Sequence, residues 1–207
     1  MKTILLPLAA AAAAALALSA PARAQQQGDW TIGLGLHQVS PKSDNGTLDG
    51  GLVLDIDGSL RPTVTFEYFI RDNIGIEVLA AWPFKHDIAI DGLGKVGSTQ
   101  QLPPVVSIQY HFVNDSAFTP FLGVGINYTT FFSEKTEGAL AGTDLSIDDS
   151  WGVALHAGFD YALSERGALR LDLRWIDINA DVSVDGTNMG QAKIDPLVFG
   201  AAYVMRF

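Results

Sequence analysis

The chain has 207 residues, enough for one domain or two small ones, and no cysteine, so it holds no disulfide, thiolate metal site or cysteine nucleophile. Thirteen Lys+Arg against 23 Asp+Glu give a formal net charge of −10, and phosphate binding wants a basic face, which argues against a nucleic-acid partner. With 48% hydrophobic and 17% charged residues, the composition excludes intrinsic disorder.

Part of the apolar content belongs to the N-terminus. Met1-Lys2 is a short basic start, residues 4–20 are an alanine-dominated apolar run, and Ala22-Arg23-Ala24 is an A-x-A cleavage signal. Together they predict a Sec-type signal peptide over residues 1–24, with Gln25 as the mature N-terminus. A membrane anchor is the alternative, because the run is long enough for a marginal span. The A-x-A ending and the Gln/Gly stretch after it favour cleavage. Removal takes away Lys2 and Arg23 and no acid, so residues 25–207 keep 11 basic against 23 acidic residues, a net charge of −12. No run of 18 apolar residues remains, so no transmembrane helix is expected.

What remains is alternation. Trp30, Ile32, Leu34 and Leu36 share one face, with Thr31, Gly33, Gly35 and His37 on the other, which predicts a strand over residues 29–39. A Gly-, Asp- and Ser-rich loop follows over 40–59. The second strand, 60–70, sets Val64, Phe66, Tyr68 and Ile70 against Thr63, Thr65 and Glu67. Arg71-Asp72-Asn73 turns the chain into a third strand, Ile74, Ile76, Val78, Ala80 and Trp82 against Gly75, Glu77, Leu79 and Ala81. After a long loop over 85–102, Val106, Ile108, Tyr110 and Phe112 oppose Ser107, Gln109 and His111. The fifth strand places Leu122, Val124, Ile126 and Tyr128 opposite Gly123, Gly125, Asn127 and Thr129. A loop over 133–147 precedes the sixth, Trp151 to Tyr161. The seventh alternates Leu169, Leu171, Leu173 and Trp175 with Arg170, Asp172 and Arg174. A short loop near 185–190 leads to the last, with Leu197, Phe199, Ala201, Tyr203, Met205 and Phe207 on one face.

Short connections at 71–73, 114–119 and 164–167 alternate with longer ones. Eight strands joined in that way predict an all-β fold, an eight-stranded antiparallel transmembrane β-barrel of the bacterial outer membrane spanning residues 25–207, with short periplasmic turns and long outer loops. A soluble β-sandwich or lipocalin-like barrel also alternates. The polar face here is rich in Gly, Thr, Ser and Ala, as a crowded lumen requires. The apolar face ends in aromatic rings: Trp30, Tyr68, Tyr110, Phe112, Tyr161 and Phe207 at the periplasmic side, Trp82, Tyr128, Phe132, Trp151 and Trp175 at the outer side. Two such girdles mark the two interfaces of a bilayer. Tyr203, Met205 and the terminal Phe207 resemble the signal read by the barrel assembly machinery.

Specific motifs carry a family likeness. Arg61-Pro62-Thr63 with Phe66-Glu67-Tyr68-Phe69, Pro83-Phe84-Lys85-His86, Leu102-Pro103-Pro104, Gln109-Tyr110-His111-Phe112, the run from Gly123 to Phe132, Asp149-Ser150-Trp151-Gly152 and Ile194-Asp195-Pro196 resemble the OmpW family of outer-membrane proteins over essentially the whole mature chain. The resemblance implies an eight-stranded barrel with a narrow hydrophobic channel, associated with small apolar molecules.

Depth along the strands sorts the inward residues. Glu67, Glu77, Gln109, His111, Asp160, Arg170, Asp172 and Arg206 fall in the lower lumen, with His156 and Arg174 near mid-height. Leu79, Ala81, Val105, Phe131, Ile176 and Val198 line the upper lumen. An eight-stranded interior holds side chains or one small ligand, and buried charges of both signs must pair. Arg170, Arg174 and Arg206 are therefore expected to bridge Glu67, Glu77 and Asp172 as a polar plug, which argues against a water-filled porin. Proline removes a ladder donor. Pro62, Pro83 and Pro103 on neighbouring strands mark a candidate lateral opening, against the plainer reading of strand termination at a loop.

Other signals carry less. His86-Asp87 lacks the activated nucleophile that hydrolysis needs, so no enzyme and no catalytic residue is expected. Asp55-Ile56-Asp57-Gly58 does not fit a calcium loop, so no metal or cofactor is assigned. The function expected is a barrel that passively takes up small hydrophobic molecules and releases them sideways into the membrane. The alternative is a non-conducting barrel whose outer loops bind partners. Outer-membrane lipid and lipopolysaccharide surround it in either case.

Overall fold

The computed structural model describes residues 25–207, and the expected signal peptide lies outside them. Eight strands form the barrel: β1 (Trp30–Ser40), β2 (Ser59–Arg71), β3 (Ile74–Ala81), β4 (Val105–His111), β5 (Phe118–Thr136), β6 (Ser150–Ala162), β7 (Gly167–Ile176) and β8 (Leu197–Arg206). Each pairs antiparallel with the next, and β8 returns to β1, where Leu34 lies between Val64 and Tyr203. Closure leaves no edge strand to satisfy. Among the described residues no helix is long and apolar enough to cross a membrane; strands make the crossing.

Burial is the reverse of a water-soluble protein. Along β2, Thr63, Thr65, Glu67 and Phe69 are buried while Val64, Phe66, Tyr68 and Ile70 are exposed. Ile126 is 62% exposed, whereas Glu67, Glu77 and Arg174 are each 0%. Soluble proteins almost never bury unsolvated carboxylates while presenting a continuous band of Ile, Val and Leu. The two aromatic girdles lie at opposite ends. Trp30 stacks on Phe207 at 4.4 Å and Tyr110 meets Phe112 edge-on at the turn side, while Tyr128 packs on Trp151 at the far end.

The long outer connections are more ordered than their composition implies. Residues expected as loops, or assigned to no element, form the strands Thr47–Leu48, Leu52–Ile56, Phe84–Ile90, Gly94–Leu102, Leu145–Ile147, Asn179–Val184 and Thr187–Lys193. β5 runs on to Thr136 and pairs there with the Gly94–Leu102 strand, Gln101 opposite Phe131. The supposed short loop near 185–190 is the turn of a hairpin, with Asp185 and Gly186 at φ 51° and 76°. These pieces share a core of Leu48, Leu54, Ile88, Ile90, Val96, Leu145, Val182 and Ala192. Their apolar residues are too few per strand to signal alone, and the extension exists because four connections bury them jointly.

Candidate functional site

Strand alternation delivers one charged layer. Glu67 on β2 faces Glu77 on β3 directly across the ladder, a like-charge pair that repels if left alone. Arg170 on β7 resolves it. Its Nη1 donates to Glu77 Oε2 at 2.7 Å and its Nη2 to Glu67 Oε2 at 3.2 Å, while Nε and Nη2 grip both oxygens of Asp160 at 2.7 and 2.9 Å. The guanidinium sits 4.6 Å over the Phe121 ring, a cation–π contact strengthened by desolvation. Arg174 donates to Glu77 Oε1 at 2.5 Å and lies 3.8 Å from Asp172. His111 donates to Glu67 Oε1 at 2.7 Å, and Gln109 donates to His156 Nδ1 at 2.9 Å. Two guanidiniums thus hold four carboxylates, with imidazoles at the margins.

Arg206 corrects the expectation. It lies at the periplasmic rim, donating to the Glu165 carbonyl and approaching Asp29 at 4.0 Å, while Arg170 and Arg174 engage the bridging carboxylates. Its position next to the C-terminus places it below the layer. Sequence reasoning also passed over His37, whose Nε2 is 3.3 Å from Asp172 Oδ2 and whose Nδ1 is 2.6 Å from Thr63 Oγ1. Its inward place in the alternation was the available signal. Phe69 and Phe121, both fully buried against His111, were missed because an inward aromatic breaks the small-and-polar pattern of the lumen.

Above the charged layer the predicted upper residues do come together. Leu79, Val105, Phe131, Ile176 and Val198 are buried in one cluster with Val39, Phe84, Ala154, Ile178, Ala180 and Ile194, and Ala81 packs at its edge. Of these six, Phe131 also borders a cavity. That space lies higher, inside the extension: a cavity of about 40 Å³ between Leu48, Leu54, Ile88, Ile90, Val96, Leu140, Leu145 and Val182, with Phe131 at its floor and His86, Thr99 and Gln101 in its wall. Its exposed lining is apolar.

The wall beside this cavity is interrupted. The β3–β4 ladder ends at Leu79 opposite Val105, and pairing between the two chains resumes only at Phe84 opposite Gln101. Pro83 flanks the gap on one side and Pro103 and Pro104 on the other. The Trp82 N–H turns back to Pro62 O, and the Pro104 carbonyl accepts from Tyr128. Pro62 stands one strand away, paired with Leu36. Outside, Arg61, Pro62, Trp82, Pro83, Lys85 and Gln100 border a depression. Gln100 and Gln101 therefore mark the two faces of a single-layer wall.

Both the sequence and the closed eight-stranded barrel have relatives. The OmpW family model covers residues 26–207. The chain belongs to the OmpW family. It is 36% identical over 195 residues to outer membrane protein W of Vibrio cholerae serotype O1, covering 88% of this chain and 90% of that one. It is 32% identical over 196 residues to outer membrane protein AlkL of Ectopseudomonas oleovorans, covering 86% and 83% of the two chains. The crystal structure of outer membrane protein OprG from Pseudomonas aeruginosa superposes with a TM-score of 0.78 at 32% identity, over 90% of this chain and 99% of that one. The protein is accordingly an integral barrel of the bacterial outer membrane, surrounded by its lipid, and not an enzyme.

Proposed function

We propose that this OmpW-family barrel takes up small hydrophobic molecules passively, receiving them in the outer cavity and releasing them sideways into the membrane. The observation that carries the reading is the adjacency of an apolar cavity, a sealed axis and an interrupted wall. Below the cavity lie a packed apolar layer and then the Arg170 and Arg174 salt bridges. An apolar solute gains nothing by crossing such charges. The gap between Leu79–Val105 and Phe84–Gln101 offers a route that breaks no ladder bond. Leu79, Ala81, Val105, Phe131, Ile176 and Val198 would then act as the greasy stop beneath the route, and Pro83 and Pro103 as its frame.

The reading is tested with refolded protein in vesicles carrying a lipopolysaccharide outer leaflet. Uptake of an apolar solute should exceed that of protein-free vesicles and fall when Phe131→Asp or Leu79→Asp is introduced, without measurable single-channel conductance. Uptake equal to that of protein-free vesicles favours the second reading, an interaction barrel that conducts nothing, for which the packing of Val105, Ile176 and Val198 speaks.

The last strand carries a separate proposal. Tyr203 and Phe207 stay exposed on the lipid face, with Met205 between them partly so, the arrangement expected of a signal for the assembly machinery. Removing Phe207 should slow insertion in cells more than refolding in detergent.

A further inference from the structure

The outside of the barrel carries two basic residues where its apolar band ends. Ile76, Val78 and Ala80 point to lipid along β3, and Trp82, 73% exposed, follows in the same phase as a ring of the outer girdle. Past Pro83 the chain enters the strand Phe84–Ile90, with Phe84 and His86 buried and Lys85 exposed. Lys85 lies directly opposite Gln100, and Gln100 opposite Phe132, so the three form one row across the outside of the wall.

Arg61, near the outer end of β2, completes the group. Its Nε donates to the Pro83 carbonyl at 2.9 Å and its Nη1 to the Leu60 carbonyl at 3.2 Å, while Nη2 meets no acceptor among the described residues. With Pro62, Trp82, Pro83, Lys85 and Gln100 it borders the depression outside the wall, an open space of about 450 Å³ lined by both polar and apolar atoms. Among the described residues neither Arg61 nor Lys85 forms a salt bridge, although residues 25–207 hold 23 acids against 11 bases. The next acid along the same face, Asp87, is taken by Lys95 at 2.9 Å. Backbone carbonyls orient the Arg61 guanidinium without cancelling its charge, so it stands ready for an anion.

At this height the barrel meets the heads of the outer leaflet, where lipopolysaccharide displays phosphates on its sugars. Two uncompensated cations just above an apolar band, beside a ring at headgroup level, have the chemistry that receives an anionic lipid head. Phosphate suits a guanidinium with donors to spare. We propose that Arg61 and Lys85, flanked by Trp82 and Gln100, bind a phosphate of lipopolysaccharide and fix one lipid molecule on the outside of the wall. The depression shares Pro83 with the interruption between Leu79–Val105 and Phe84–Gln101, so the bound lipid stands beside the proposed exit. Binding needs only the outer-membrane placement of the barrel and does not rest on solute uptake.

Lipopolysaccharide in mixed micelles, titrated against the refolded full chain, makes the test. Lys85→Gln should weaken binding about 5-fold, the worth of one cation near an anionic lipid surface, and Arg61→Gln by at least as much. Arg71→Gln, which removes an equal charge from the periplasmic end of β2, should leave binding unchanged. Lipopolysaccharide stripped of its phosphates should lose the difference between the unmodified protein and Lys85→Gln. Unchanged binding in Lys85→Gln overturns the site, as does an equal loss in Arg71→Gln, which would mean general attraction between charges. Phosphatidylglycerol binding as tightly overturns the assignment to lipopolysaccharide in favour of any anionic lipid, and displacement by an equal concentration of inorganic phosphate overturns it in favour of a free anion. Should Arg61→Gln fail to fold once Pro83 loses its donor, Lys85→Gln and the phosphate-free lipid still decide.

Discussion

The carboxylate of Glu67 occupies the space that a side chain at residue 75 would need. A Cβ placed on Gly75 would lie 2.8 Å from both Cγ and Cδ of Glu67, with Oε1 closer still. Gly75 is opposite Phe69, two pairs below the Glu67–Glu77 rung and on the same face. The glycine thus makes room for the charged layer. Gly200 does the same for His37 and its partner Asp172, whose Cδ2 and Oδ2 would lie 2.5 and 2.6 Å from its Cβ. Gly75→Ala should push Glu67 away from His111 and Arg170 and cost about 1–3 kcal/mol, the penalty for buried partners left unpaired. Urea unfolding from lipid vesicles measures this, and an unchanged midpoint would detach Glu67 from the stability of the barrel.

Arg170 should be the most sensitive position in the lumen. It alone touches Asp160, Glu67 and Glu77. Arg170→Met keeps the stem and the contact with Phe121 but strands three buried acids, so a loss of about 3–5 kcal/mol is expected. Arg206→Met, at the partly exposed rim, strands none of the acids of the layer and should cost less than Arg170→Met. The contrast between the two, read as heat-modifiable migration on gels and as urea midpoints, separates a buried plug from generic charge effects.

The barrel was readable from the sequence because period-two alternation is a local property, repeated in each strand and reinforced by rings at both ends. The depth of Glu77, Arg170 and Leu79 followed from counting along strands. Arg206 was misplaced because the same counting cannot tell the last pleat inside the lumen from the rim. The extension was illegible for another reason. Leu54, Ile88, Val96 and Val182 sit in glycine- and aspartate-rich connections, and each acquires a partner only from a different connection. Gln101 and His86 were likewise read as loop residues, since nothing local shows that they will meet.

His86 makes the extension sensitive to acid. Burial is the main cause of its lowered pKa, partly offset by the Asp57 carbonyl and carboxylate and by Asp87, with Arg61 adding to the lowering. Unfolded, the ring takes its proton near the ordinary value of about 6.5, so between that pH and the lower folded value the unfolded state binds more protons. Stability then rises with pH across the window and is lost as pH falls through it. Protonation also makes Nε2, which lies 3.1 Å from the Gln101 amide nitrogen, a donor, so that amide must turn. Amide protection in the strands Leu52–Ile56 and Phe84–Ile90, taken relative to the intrinsic exchange rate at each pH, should fall as pH drops below the ordinary histidine value of about 6.5, and His86→Gln should flatten the dependence. Protection that is flat with pH in the unmodified protein would show His86 uncoupled from the fold.

The exposed band on the strands makes the sharpest prediction about orientation. Val124 on β5 is flanked by Ile108 on β4 and Leu155 on β6 at one height, and all three are more than half exposed. Leu60, 51% exposed, sits at the outer end of β2 opposite Gln38. In a bilayer the two sites differ in depth although their exposure is alike. Arg at the midplane costs about 2–4 kcal/mol and near the interface only about 0–1. Val124→Arg should therefore lower the stability of the lipid-embedded protein by several-fold more than Leu60→Arg, and the difference should shrink when both are refolded in detergent, whose thin, deformable micelle lets an arginine reach water from either height. A soluble body would tolerate both substitutions alike, because each side chain would already face water. Equal costs in vesicles would place the Ile, Val and Leu band outside the hydrocarbon and remove the basis for lateral release along with it.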